Sequence, residues 1–168
     1  MNNNKNDIMQ YTGIVTLSQY IGNKKVKLAS IHNNGGEGLF NFIVDCLMGE
    51  FVTAEFNRPA KIKLLQESGS LSGASPYIYL LTNPARVYPN EENLGCAVRY
   101  SFVIPRELLE TEFNAIGLYA DAATEQDLAY YVAKCYIDAA SIMADTSSAL
   151  VVDWDLTFTN APNINLSA

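Results

Sequence analysis

Two carboxylates flank the only tryptophan of the chain, in the order Asp153-Trp154-Asp155. Residues two apart on a strand share a face. Asp153 and Asp155 could therefore hold a Ca²⁺ ion together, or divide the roles of acid and base. A solvent-facing strand yields the same spacing whenever the residue between the carboxylates is buried. The surrounding segment places Val152, Trp154, Leu156 and Phe158 on one side and Asp153, Asp155, Thr157 and Thr159 on the other. This alternation favours Trp154 in a core and the two aspartates on an outer face. An exposed Trp154 would instead favour stacking against a sugar.

The other chemically suggestive residues do not converge. Asp121, Glu125 and Asp127 share an acidic loop but lack the regular alternation of a calcium loop. Gly35-Gly36-Glu37-Gly38 precedes a helical pattern, yet no Gly-Lys-Ser/Thr accompanies it, so no lysine would meet a phosphate. These glycines read as a turn opening a helix, with Asn34 or a neighbour as its cap. His32 is the only histidine, and no Gly-x-Ser-x-Gly elbow is present to partner it. Cys46, Cys96 and Cys135 form no Cys-x-x-Cys pair, whereas a structural zinc needs about four ligands at set spacings. Their odd number argues against a disulfide framework, and they read as buried, reduced thiols. No residue is assigned as catalytic, as a metal ligand or as cofactor-binding, no cofactor is implied, and the expectation is that the chain is not an enzyme.

The elements that would position these residues are mostly strands. Residues 1–10 are polar and Asn-rich and read as a flexible arm; 11–160 read as one β-rich domain; 161–168 read as a tail. Ile14, Thr16 and Ser18 alternate with Val15, Leu17 and Gln19, and Gly22-Asn23-Lys24 turns the chain into a second strand over 25–31. A tight turn over His32-Asn33-Asn34-Gly35-Gly36 follows. Leu39, Phe40, Ile43, Leu47 and Met48 then fall at helical spacing and Gly49 stops the run, which predicts one apolar helix near residues 36–48 lying flat on a sheet. Further strands are predicted over 60–66, 77–81, 96–104, 113–120, 128–137 and 150–159, with one helical turn over 106–112. Gly117 reads as a bulge or a close contact. The fold class is mainly β, an antiparallel β-sandwich or barrel with that single helix.

Composition narrows the function. With 168 residues, 49% of them apolar and 17% charged, the chain can bury a core of its own. The net charge is −7, and the one basic cluster, Lys24-Lys25-Val26-Lys27, is short. It suits a hairpin edge guarded against stray pairing better than a phosphate backbone. No nucleic-acid partner is expected. Residues 1–10 lack the apolar core of a signal peptide, and no apolar run approaches the ~20 residues that span a bilayer. The expectation is a soluble chain made in a cytoplasm, with no membrane partner. Ten tyrosines suit pleated sheets and protein interfaces.

The order of these pieces resembles small structural proteins of short-tailed bacteriophages, including crAss-like phages, in the tail, neck, ring or fibre-attachment class. The matching pieces are Asn34-Gly35 opening the helix to Met48, then Pro59, Lys61, Ile62 and Leu64, then Val98, Tyr100, Phe102 and Ile104. They continue through Phe113-Asn114-Ala115-Ile116-Gly117-Leu118-Tyr119 and end on Leu150, Val152, Trp154, Leu156 and Phe158. One departure is that Ala115 and Ile116 stand where the pattern carries an acidic residue before Gly-Leu. The resemblance implies a virion protein present in many copies, built into a portal–tail ring or a fibre socket and assembled in the host bacterial cytoplasm. Its implied partners are other copies of itself, in a ring or another symmetric oligomer, and neighbouring portal, ring, tail or fibre proteins. An alternative is a head or tail fibre or decoration module that binds carbohydrate or a host receptor.

Overall fold

The computed structural model of the protein describes residues 9–50, 58–66, 76–87, 96–109, 113–121, 131–137 and 148–160. A long hairpin starts it. β1 (Met9–Ile21) and β2 (Lys24–Gly35) pair from Gly13 opposite Asn33 to Ile21 opposite Lys24. Gly22 supplies the positive φ, 61°, that the two-residue connection needs. Val15, Leu17 and Gln19 are buried, as their alternation predicts. The strand begins at Met9, two residues earlier than expected, while the rest of the predicted arm and the whole tail over 161–168 lie outside the described residues.

After α1 (Glu37–Met48) come β3 (Pro59–Leu65), β4 (Ile78–Tyr79), β5 (Ala85–Val87), β6 (Cys96–Ile104), the short α2 (Arg106–Leu109), β7 (Ala115–Ala120), β8 (Tyr131–Tyr136) and β9 (Leu150–Asn160). The strands form two antiparallel sheets in a β-sandwich-like arrangement, with no closed barrel. The first sheet runs β2-β1-β9-β6-β5 and the second β4-β3-β7-β8-β2. At one corner they share β2, whose last residues Asn34 and Gly35 leave β1 and pair with Lys134 and Ala133. At the opposite corner the segment 78–87 passes between edges. The Leu80 N–H donates to the Ala60 carbonyl at 3.0 Å, and the Leu81 N–H donates to the Ser101 carbonyl at 2.9 Å.

The core lies between the sheets. The first contributes Leu17, Phe102, Val152 and Trp154, and the second Ile62, Ile116, Leu118 and Val132, all fully buried. Burying one side chain the size of Phe102 stabilises the fold by about 1.5–3 kcal/mol. Trp154 sits between Val15 and Tyr100 in the pairing and has no exposed surface. Its indole N–H has no hydrogen-bond partner among the described residues, and packing holds the ring.

Three local expectations are corrected. Residues 32–35 are not a tight turn but the end of β2, because pairing with β8 carries that strand on to Gly35. The helix has no side-chain cap. Its N-cap is Gly36, whose N–H donates to the Val132 carbonyl at 2.8 Å, and a Cβ there would collide with the Tyr131 carbonyl oxygen. The helix rests chiefly on one strand rather than across a sheet. It meets β8 through one side only: Leu39 is buried and Ile43 half-buried, while Phe40, Val44, Leu47 and Met48 are exposed.

Candidate functional site

The two aspartates occupy the outer face of the first sheet, as the alternation predicts, but each is already engaged. In the register, Asp153 lies between Thr16 and Ser101, and Asp155 lies between Ile14 and Arg99. The Lys25 ammonium reaches across β1 to donate to Asp153 Oδ2 at 2.6 Å, and the Ser101 hydroxyl donates to Asp153 Oδ1 at 2.7 Å. Arg99 forks onto Asp155, with Nε donating to Oδ1 and Nη2 to Oδ2, both at 2.7 Å. Burial pushes the Asp153 carboxyl up. The hydrogen bonds from Lys25 and Ser101, with the charges of Lys25 and Arg99, outweigh that and hold it below the usual aspartate value. The hydrogen bond to Asp155 raises the Arg99 value further, although burial opposes this. Such a ladder fixes neighbouring strands to each other and leaves its carboxylates committed to cations of the same chain.

The outer face of the second sheet carries residues that the sequence pattern did not single out. Lys61 and Lys63 alternate with Ile62 and Leu64 as Asp153 and Asp155 alternate with Trp154, and they are only 5% and 1% exposed, against 7% for Asp153. Tyrosine rings cover them. Lys61 Nζ lies 4.4 Å from the centre of the Tyr77 ring and Lys63 Nζ lies 4.8 Å from the same ring. Tyr77 meets Tyr119 edge-on at 5.6 Å. Gly117, between Lys63 and Lys134 in the register, makes room for the Tyr119 ring: a Cβ there would stand 2.6 Å from it. Gly117 is thus the close contact anticipated for it. Further along the face, Lys134 Nζ lies 4.8 Å from the Tyr131 ring and 5.4 Å from the Tyr136 ring. Tyr79 and Tyr136 are the exposed rings of this group. The abundance of tyrosine was the one signal of such a face in the sequence.

The remaining candidates separate. His32 is exposed on β2 opposite Ile14. Asp121 faces Arg58 at 3.7 Å, and its backbone carbonyl accepts from Lys61 at 2.9 Å; Glu125 and Asp127 lie outside the described residues. Among the described residues no group of three or more His, Cys, Asp or Glu side chains is placed to hold a metal ion. Cys135 is buried, and burial pushes its thiol up to about 12, so it stays protonated and inert. Cys46, expected to be buried, is exposed, because α1 turns most of its surface outward. No protein-family model matches the chain, and no curated protein and no solved structure matches it. Among the described residues, no helix is long and apolar enough to cross a membrane.

What is left uncovered is apolar. Phe40, Val44, Leu47 and Met48 recur at the i, i+4, i+7, i+8 spacing of one helical stripe, and Leu47 is 81% exposed. At the far end of β2, the hairpin tip exposes Tyr20, Ile21 and Val26. Exposed apolar stripes of this kind mark surfaces that meet another molecule.

Proposed function

We propose that this chain is a virion structural protein of a tailed phage. It is a multi-copy subunit of a tail or neck ring, or of a fibre-attachment assembly, and it acts through protein–protein contacts without catalysis. The observation that carries this reading is the apolar stripe of α1, which an isolated subunit leaves in water. The compensated aspartates agree with it, since carboxylates already held by Lys25, Ser101 and Arg99 serve as fasteners between strands. Its partners are further copies of itself and neighbouring portal, ring, tail or fibre proteins, met in the host cytoplasm and retained in the virion. Mass spectrometry of purified particles tests the reading. The chain should be recovered in many copies per particle, and its absence from virions would overturn the assignment.

A second reading, a fibre or decoration module that binds carbohydrate or a receptor, draws on the exposed Tyr79 and Tyr136. Trp154 cannot be its stacking residue, being fully buried. A glycan array separates the two readings: binding that Tyr136→Ala abolishes would favour this one.

A further inference from the structure

We infer that the tip of the β1–β2 hairpin of one copy docks on the exposed face of α1 in the next copy, head to tail. The inference rests on the multi-copy reading above and names the two surfaces that would join. The pairing of β1 with β9 ends at Gln19, so the tip runs on past the sheet, and residues 20–27 are exposed throughout. The tip combines apolar Tyr20, Ile21 and Val26 with Lys24, Lys25 and Lys27, so three of the eleven cations of a −7 chain are gathered there. Lys25 is spent on Asp153. Lys24 and Lys27 are exposed and make no ion pair with any described residue.

The helix offers the complement. Beside its apolar stripe it has no basic residue in its last turn, and exposed Glu50 stands just beyond Gly49. The Gly49 and Glu50 N–H groups close the helix onto the Cys46 and Asp45 carbonyls. The C-terminal end of a helix bears partial negative charge that a nearby cation stabilises, and α1 supplies none of its own. Apolar residues would meet apolar residues, and Lys24 and Lys27 would meet the acidic helix end.

The two surfaces do not cover each other within one copy: α1 packs chiefly on β8, and the apolar residues of both surfaces are exposed. Lys24 and Gly35 are the ends of β2, which at ~3.3 Å per residue puts the tip about 36 Å from the start of the helix. The helix itself is about 18 Å long. A contact between two different patches of a subunit is heterologous, and it closes into a ring or continues as a filament. Each contact is small, but every subunit in a ring makes two.

The test is a mixing experiment on the full chain, using Ile21→Glu at the tip and Leu47→Glu on the helix. Both residues are exposed, and far-UV circular dichroism confirms folding. If Ile21→Glu does not fold, Lys24→Glu takes its place. Light scattering after size exclusion should show an oligomer for the unaltered chain and monomers for each variant alone. A one-to-one mixture should yield heterodimers and nothing larger, because only one intact tip and one intact helix face remain to be joined. Three results would overturn the contact: an unaltered chain that stays monomeric, a variant that assembles like the unaltered chain, or a mixture that stays monomeric. Recovery of the unaltered chain from virions alongside any of these would sink the contact and leave the structural role standing.

Discussion

The outer faces of the two sheets handle charge in opposite ways. On the β9 sheet, Asp153 and Asp155 meet Lys25 and Arg99 in short ion pairs whose cations stay about 40% exposed while the carboxylates are largely covered. On the β7 sheet, Lys61, Lys63 and Lys134 lie over tyrosine rings, and Lys63 is almost wholly withdrawn from water. Ion pairs whose cation stays in water keep part of their hydration and contribute little each. An ammonium over a ring loses more water and gains up to ~2 kcal/mol from the ring quadrupole. One face is therefore a tolerant ladder, and the other is a second, polar layer of packing.

Charge reversal should separate them most sharply. Lys63→Glu would place a buried carboxylate against the negative face of the Tyr77 ring, and it should cost about 3–5 kcal/mol. Arg99→Glu, on a side chain 40% exposed, should cost about 1 kcal/mol. Urea midpoints measure both, and equal losses would erase the distinction. Packing should follow the same order. Gly117→Val forces the Tyr119 ring away from its place beside Tyr77, for a loss of about 1–3 kcal/mol. Shrinking the ring as well, in Gly117→Val with Tyr119→Leu, should recover part of that loss, because the two sites share one contact.

The same contrast marks what the sequence could reveal. The strands of the first sheet were legible because Val152, Trp154 and Leu156 alternate with polar residues that do face outward. Lys61-Ile62-Lys63-Leu64 reads identically, but the period of two reports only which side a residue takes, not what covers that side. The cover comes from Tyr77 and Tyr119, which lie 14 and 56 residues beyond Lys63 in the numbering, and no local pattern links them to it. The helix failed in the reverse sense. Leu39 and Ile43 show that an apolar face exists, yet Phe40, Val44, Leu47 and Met48 extend it around more of the helix than β8 can cover. The partners of Asp153 and Asp155 were equally hidden, since Lys25 and Arg99 arrive from other strands.

Acid should weaken the first face specifically. The Asp153 carboxyl is held below its ordinary value of about 3.8 in the folded protein. The stabilisation it contributes is complete above that ordinary value and is lost as pH falls through the lower, folded one. Stability should therefore drop below about pH 4, and Asp153→Asn should flatten this part of the profile. Tyr77→Leu, on the other face, should lower stability at every pH while leaving the acid slope as it was. Urea midpoints between about pH 2 and 5 decide this, and an unchanged slope in Asp153→Asn would remove Asp153 as its origin.

The smallest effect separates geometry from charge within the ladder itself. Arg99 grips both oxygens of Asp155 through two parallel N–H donors, which a lysine cannot reproduce. Arg99→Lys keeps the charge and gives up the fork. If the pair acts only by charge, stability at neutral pH should not change. If the fork joins β6 to β9, the substitution should cost up to ~1 kcal/mol, a loss that added salt does not mask, since salt screens exposed charge more than hydrogen-bond geometry. Measuring Arg99→Lys and Arg99→Met at low and high salt distinguishes these cases. Equal losses for both would assign the pair's contribution to the fork, and a loss confined to Arg99→Met would assign it to charge.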